Sequence, residues 1–139
     1  MGEGSTTTPL ALAAAYGALA NDGVFAPGSE RVIKDSTARS VRTMLEGVVS
    51  GERATGKAAA VSGVRVGGKT GTSDNSPDCE ACAHGPGVFA SFVGIAPIEE
   101  PRFVIYVGVG QPQREGSGGT IAAPVFARIA ARALTPPVR

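Results

Sequence analysis

Gly67-Gly68-Lys69-Thr70-Gly71-Thr72 follows directly on Val64-Arg65-Val66, so a lysine set among hydroxyls stands at the end of a β-prone run. Glycines before and within the stretch let another molecule approach the backbone closely. One point charge beside two neutral hydroxyl donors suits the capture of a carboxylate. Lys-Thr-Gly is only three letters, and its meaning rests on what flanks it.

Working outward, the pattern predicts three strands: Val64 to Thr72, Val88 to Ala96 and Phe103 to Val109. The third carries Phe103, Ile105, Val107 and Val109 on one side and Val104 and Tyr106 on the other, so both faces should be covered. Pro97-Ile98-Glu99-Glu100-Pro101 is a short link, which makes the last two strands an antiparallel hairpin. Ser73 to Gly87 is polar and rich in Gly and Pro, and reads as a long loop of the functional or mobile kind. Upstream, Thr8-Pro9 is an N-cap followed by proline at the first helical position, and Gly23 closes the run Leu10 to Asn21. Almost every position in that helix is apolar or alanine, which predicts burial on most sides.

Pro27-Gly28 reads as a turn and Arg31-Val32-Ile33 as a short strand. Asp35 or Ser36 would cap a second helix, whose Val41, Met44, Leu45, Val48 and Val49 form one apolar stripe. Arg53 to Gly63 reads as a loop with a helical turn. Ile121 to Leu134 reads as a third helix with Val125, Phe126, Ile129, Ala133 and Leu134 inward, stopped by Pro136-Pro137.

The chain has 139 residues and a formal net charge of +1. That length suits one domain, residues 1–139, burying roughly two-thirds of its unfolded surface. The near-neutral, scattered charge argues against nucleic acid as a partner. No apolar run is long enough to span a bilayer, and Met1-Gly2-Glu3-Gly4 has no basic region of the kind that opens a signal peptide. Cys79 and Cys82 stand in Cys-Glu-Ala-Cys-Ala-His. With His84 they supply three zinc ligands where a structural site wants four, and Ala83 breaks the haem-attachment spacing. A short-range disulfide and a plain loop ornament remain as readings. No cofactor and no metal site is expected.

Read in order, Gly2-Glu3-Gly4, Thr8-Pro9-Leu10, Ala18-Leu19-Ala20-Asn21-Asp22-Gly23, Met44-Leu45-Glu46-Gly47-Val48-Val49, Gly68-Lys69-Thr70-Gly71-Thr72, Ala90-Ser91-Phe92-Val93-Gly94, Ala96-Pro97, Pro101-Arg102 and Ala122-Ala123-Pro124-Val125-Phe126 resemble the C-terminal half of a penicillin-binding protein transpeptidase domain. The likeness is to the monofunctional, class B type within the serine β-lactamase and D,D-peptidase superfamily. It runs from residue 2 to about residue 134. Its specificity lies in the number and order of the pieces.

The resemblance implies an α+β fold, an antiparallel sheet with helices on both faces, of which this chain supplies three strands. It implies acyl transfer on peptidoglycan stem peptides, with β-lactams as alternative ligands, at the outer face of the cytoplasmic membrane or in the periplasm. Of the family's three motifs only Lys-Thr-Gly is present. Ser-x-x-Lys is absent, and the nearest sequences, Ser50-Gly51-Glu52-Arg53 and Ser62-Gly63-Val64-Arg65, carry arginine, which stays protonated and cannot act as a base. Ser73-Asp74-Asn75 spells the second motif but stands directly after Lys-Thr-Gly-Thr, far from the family's position for it, and reads as the start of the polar loop.

By resemblance, Lys69 would face the cleft and draw in the substrate's terminal carboxylate. Thr70 and Thr72 would bond that carboxylate, and the Thr72 N–H would form half of an oxyanion hole. Gly71 would leave room for substrate along the strand edge. Ser91 reads as structural, because Ala-Ser-Phe is not a nucleophile elbow. Whether the chain alone is an enzyme stays open, since nucleophile and base are missing from it. A rival reading is a non-catalytic binding or scaffold module that keeps the D-Ala-D-Ala carboxylate site, and a third is a redox or metal role for Cys79, Cys82 and His84. Strands that the family draws from upstream would border Phe103 to Val109. Without them that edge is bare and should recruit an N-terminal transpeptidase half or a second copy, and the helix Leu10 to Ala20 would lose neighbours.

Overall fold

The structure, a computed structural model, describes residues 7–25, 29–75 and 87–135, and for Asp74 and Asn75 the backbone alone. The sequence readings at Gly2-Glu3-Gly4, Pro27-Gly28, Cys79, Cys82, His84 and Pro136-Pro137 fall outside these residues.

Three helices flank one sheet. α1 is Pro9–Ala20 and α2 is Asp35–Ser50. The sheet has order β3-β4-β5, all antiparallel, from β3 (Gly67–Asn75), β4 (Gly87–Ala96) and β5 (Phe103–Gly110). α3 is Ala123–Leu134. A two-stranded ribbon, β1 (Val24–Phe25) with β2 (Glu30–Arg31), follows α1. The expected α+β class and the hairpin of the last two strands are present.

Each element can be traced to its residues. Thr8 caps α1 as its spelling predicts: its Oγ1 accepts from Ala11 N at 3.1 Å, and Pro9 takes the first turn. β4 is the central strand and the most apolar. Phe92, Ile95, Ala90 and Ala96 are fully buried in it, because both of its faces are covered. On one face Leu45 of α2 packs with Ile95 and Ile98, joined by Tyr16, Leu19 and Val104. On the other, Phe126 of α3 packs with Phe92, Val107 and Val49. The Phe92 and Phe126 rings meet at 4.9 Å between centroids, tilted by 57°.

Several expectations are corrected. β3 begins at Gly67, not Val64. Gly63, at φ +74°, turns the chain so that Val64 bridges back to Val61, and the Arg65 carbonyl accepts from Ile98 N at 2.8 Å. The strand also runs on through Ser73, Asp74 and Asn75, which pair with Phe89, Val88 and Gly87. The polar loop therefore does not start at Ser73: these residues continue the antiparallel ladder with β4.

α1 is not buried on most sides. Only Ala18 is buried in it, and Leu10 is 79% exposed. The short strand at Arg31 spans Glu30–Arg31 instead of reaching Ile33. Neither Asp35 nor Ser36 caps α2. Lys34 holds that position with no side-chain bond, while Asp35 Oδ1 accepts from Ser36 N within the first turn. Met44, placed in the α2 stripe, is 70% exposed. α3 is preceded by a π-type turn, Gly118–Ala122. Its inward face is Ala123, Phe126 and Ala130, with Val125, Ile129 and Ala133 exposed.

Candidate active site

β3 is an edge strand. Its register with β4 pairs Lys69 with Val93, Thr70 with Phe92, Gly71 with Ser91 and Thr72 with Ala90, and among the described residues its other edge has no strand partner. Because strand side chains alternate, Lys69, Gly71 and Ser73 share the α2 face while Thr70 and Thr72 share the α3 face. The structure thus sets the two threonines side by side and places Lys69 across the strand from them. Lys69 is exposed, and its Nζ donates to the Thr70 carbonyl at 2.7 Å.

Each threonine hydroxyl is held from behind. Gly118 N donates to Thr72 Oγ1 at 3.0 Å, and Thr70 Oγ1 lies 3.3 Å from Thr55 Oγ1. An amide N–H only donates, so Thr72 Oγ1 accepts there and its own proton stays available to a ligand. The turn that supplies this amide is itself locked. Ile121 N donates to the Ser117 carbonyl at 2.8 Å, and Ser117 N donates to Thr120 Oγ1 at 2.8 Å. Glycine is required there, because a β-carbon on Gly118 would run into the backbone oxygens of Ser91 and Gly71, and one on Gly119 into the Thr55 carbonyl. Thr55, Gly118 and Gly119 were not among the residues read as functional. The adjacent glycines ahead of a helix were the one visible signal of close packing.

On the opposite face, a β-carbon on Gly67 would lie 2.8 Å from Glu46 N and 2.8 Å from the Ile98 side chain, so α2 sits hard against the start of the strand. Glu46 anchors that contact. Both its oxygens accept from Arg65 at 2.7 Å, and this guanidinium holds the Glu46 carboxyl below the usual carboxylate range, against partial burial that would raise it. A pocket of about 350 Å³, lined by residues including Gly87, Val88, Gln111 and Arg114, opens at the far end of the sheet beyond Thr72. Among the described residues no three His, Cys, Asp or Glu side chains gather as a metal site, and no helix is long and apolar enough to cross a membrane.

The sequence model of the penicillin-binding protein transpeptidase domain matches residues 1–131. The chain belongs to this family. A curated relative, penicillin-binding protein PbpB of Mycolicibacterium smegmatis, is 37% identical over 94% of this chain and 24% of its own length. The probable peptidoglycan D,D-transpeptidase PenA of Neisseria meningitidis is also 37% identical, over 92% of this chain and 23% of its own. Among solved transpeptidase structures, the apo transpeptidase domain of Burkholderia pseudomallei penicillin-binding protein 3 superposes with a TM-score of 0.78 at 37% identity. That match takes in 99% of this chain and 46% of the solved one. The chain therefore spans about a quarter of the length of these curated relatives and under half of the solved domain.

Proposed function

We propose that this chain is the C-terminal portion of a peptidoglycan D,D-transpeptidase, with Gly67 to Thr72 as one wall of its acyl-transfer site. The observation that carries the reading is the edge of β3, which has no strand partner among the described residues, where Thr70 and Thr72 are both braced from behind and Lys69 stands on the same strand. A stem peptide ending in D-Ala-D-Ala, or a β-lactam, would lie along this edge as an added strand. Its carboxylate would accept hydrogen bonds from the two hydroxyls and be drawn by the charge of Lys69. The Thr72 N–H would give one of the two donors that stabilise the tetrahedral oxyanion. Such a substrate places the site at the outer face of the cytoplasmic membrane or in the periplasm.

The nucleophile is a separate matter. The 139 residues contain no Ser-x-x-Lys, so the chain by itself binds but does not acylate. Labelled penicillin incubated with the purified chain should leave no covalent adduct, and stable labelling would overturn that claim. A D,D-peptide should bind reversibly. Lys69→Ala should weaken it about ten- to a hundredfold, the effect of removing a charge-assisted contact. Supplying a transpeptidase N-terminal half in trans distinguishes a catalytic wall from a binding-only module: restored acylation supports the first, and binding without acylation the second.

A further inference from the structure

We infer that Thr55 is a positioning residue for the carboxylate clamp, the group that orients the Thr70 hydroxyl and turns its proton toward the ligand; this rests on the carboxylate reading of the site given above. Thr55 lies between α2 and the 3-10 turn Lys57–Ala59, fifteen residues before Thr70. Its loop is not free to drift. Gly56 N donates to the Val48 carbonyl at 2.9 Å, and Ala54 N donates to the Gly51 carbonyl at 3.1 Å. A β-carbon on Gly56 would lie 3.0 Å from the Phe92 ring, and Gly119 packs against the Thr55 carbonyl. The end of α2, the core and the π-type turn therefore all fix the Thr55 backbone. Among the described residues, the only hydrogen-bond partner of either side chain is the other hydroxyl.

The two threonines of the clamp are held in different ways. Thr72 accepts from an amide, so its polarity is permanent. Thr70 meets a hydroxyl, and a hydroxyl pair shares one proton that points either way. An anion beside Thr70 removes the ambiguity. Thr70 must then donate outward, so Thr55 must donate to Thr70, and the chain from Thr55 through Thr70 to carboxylate is polarised along its length. Thr55 never touches the ligand. It sets the rotamer and the direction of the hydroxyl that does.

The test uses the 139-residue chain with Thr55→Val, which removes the hydroxyl at nearly constant shape, and Thr55→Ser, which keeps it. Affinity for a D-Ala-D-Ala peptide and for its C-terminal amide is measured by titration. The Thr70 χ1 rotamer is followed separately through NMR scalar couplings in the ligand-free chain. Thr55→Val should weaken the free-acid peptide about three- to tenfold, the effect of losing one hydrogen bond, and should leave Thr70 averaging between rotamers. Thr55→Ser should restore both readouts, and the amide should respond to neither variant. Unchanged Thr70 couplings in Thr55→Val would overturn the inference. Should the unsubstituted chain ignore the free-acid peptide, the carboxylate reading fails on its own account, and the couplings still decide whether Thr55 orients Thr70.

Discussion

A β-carbon built on Gly71 falls 2.5 Å from Ser91 Oγ and 3.9 Å from Ser91 Cβ. The resemblance gives Gly71 to the substrate, and the structure adds a reason internal to the sheet: the Ser91 hydroxyl of the paired strand stands in that space. Gly71→Ala should cost about 0.5–1.5 kcal/mol, the range for pushing the Ser91 hydroxyl off its rotamer. Ser91→Ala in the same chain should recover most of it, because only the hydroxyl is in the way. Urea unfolding of the two single variants and the double variant checks this, and additive losses would refute it. Lys69, Thr70 and Thr72 could be proposed from the sequence because their side chains display a charge and hydroxyls whatever the fold. Thr55 and Gly118 could not, because each acts through a contact that exists only once distant segments meet.

At the scale of elements, the apolar contact of α1 with α2 is reinforced by two arginines, of which Arg42 makes the shorter bonds and Arg39 reaches Asp22 at 3.4 Å. Arg42, its side chain 11% exposed, donates to the Leu19 carbonyl at 2.6 Å and to Asp22 Oδ1 at 2.8 Å, closing the C-terminal end of α1. Arg42→Ala should lower stability by about 1.5–3 kcal/mol, the range for hydrogen bonds to charged groups. Arg42→Lys should not restore it, since an ammonium lacks the fork that reaches carbonyl and carboxylate together. At the other end of α1, Thr8→Ala should cost about 1 kcal/mol, a typical N-cap loss.

The acidic partners predict a pH dependence. Asp22, bonded chiefly by Arg42, and Glu46, bonded by Arg65, both titrate below their ordinary values of 3.8 and 4.5. The unfolded chain therefore binds protons first as pH falls. The stability these pairs contribute is complete above the ordinary values and is lost as pH drops through the lowered ones. Denaturation midpoints measured from pH 6 to pH 3 should fall, and Glu46→Gln should flatten part of that slope. Local signals were read well where one residue decides the outcome, as at Thr8-Pro9. They mislead at Val64-Arg65-Val66, where two β-branched valines suit a strand but the backbone bonds of Val64 and Arg65 go elsewhere.

For the molecule as a whole, the pairing of the last two strands followed from the hairpin link, the covering of both faces of β5 from its two-sided apolarity, and the layering of helices on both faces from the family resemblance. What the sequence could not give was how much of each helix is covered, because burial belongs to the neighbours and not to the helix. α1 shows this: a composition fit for a core, with Leu10 79% exposed. β5 likewise has one strand neighbour among the described residues and an open edge. Sedimentation velocity of the 139-residue chain should show a mass that rises with concentration, and a transpeptidase N-terminal half should suppress the rise. A folded, strictly monomeric species across the whole concentration range would count against it.

The π-type turn carries a consequence for the order in which the site is made. Lys69 to Thr72 leave the ribosome well before Gly118, yet the amide that fixes the Thr72 hydroxyl belongs to Gly118, and the ring packed on Phe92 belongs to Phe126. A nascent chain halted before Gly118 would hold the whole Lys-Thr-Gly-Thr sequence with the Thr72 hydroxyl unset. The stretch proposed as the wall of the site is spelled in the middle of the chain, and its Thr72 hydroxyl is fixed only once the turn that leads into α3 has been made.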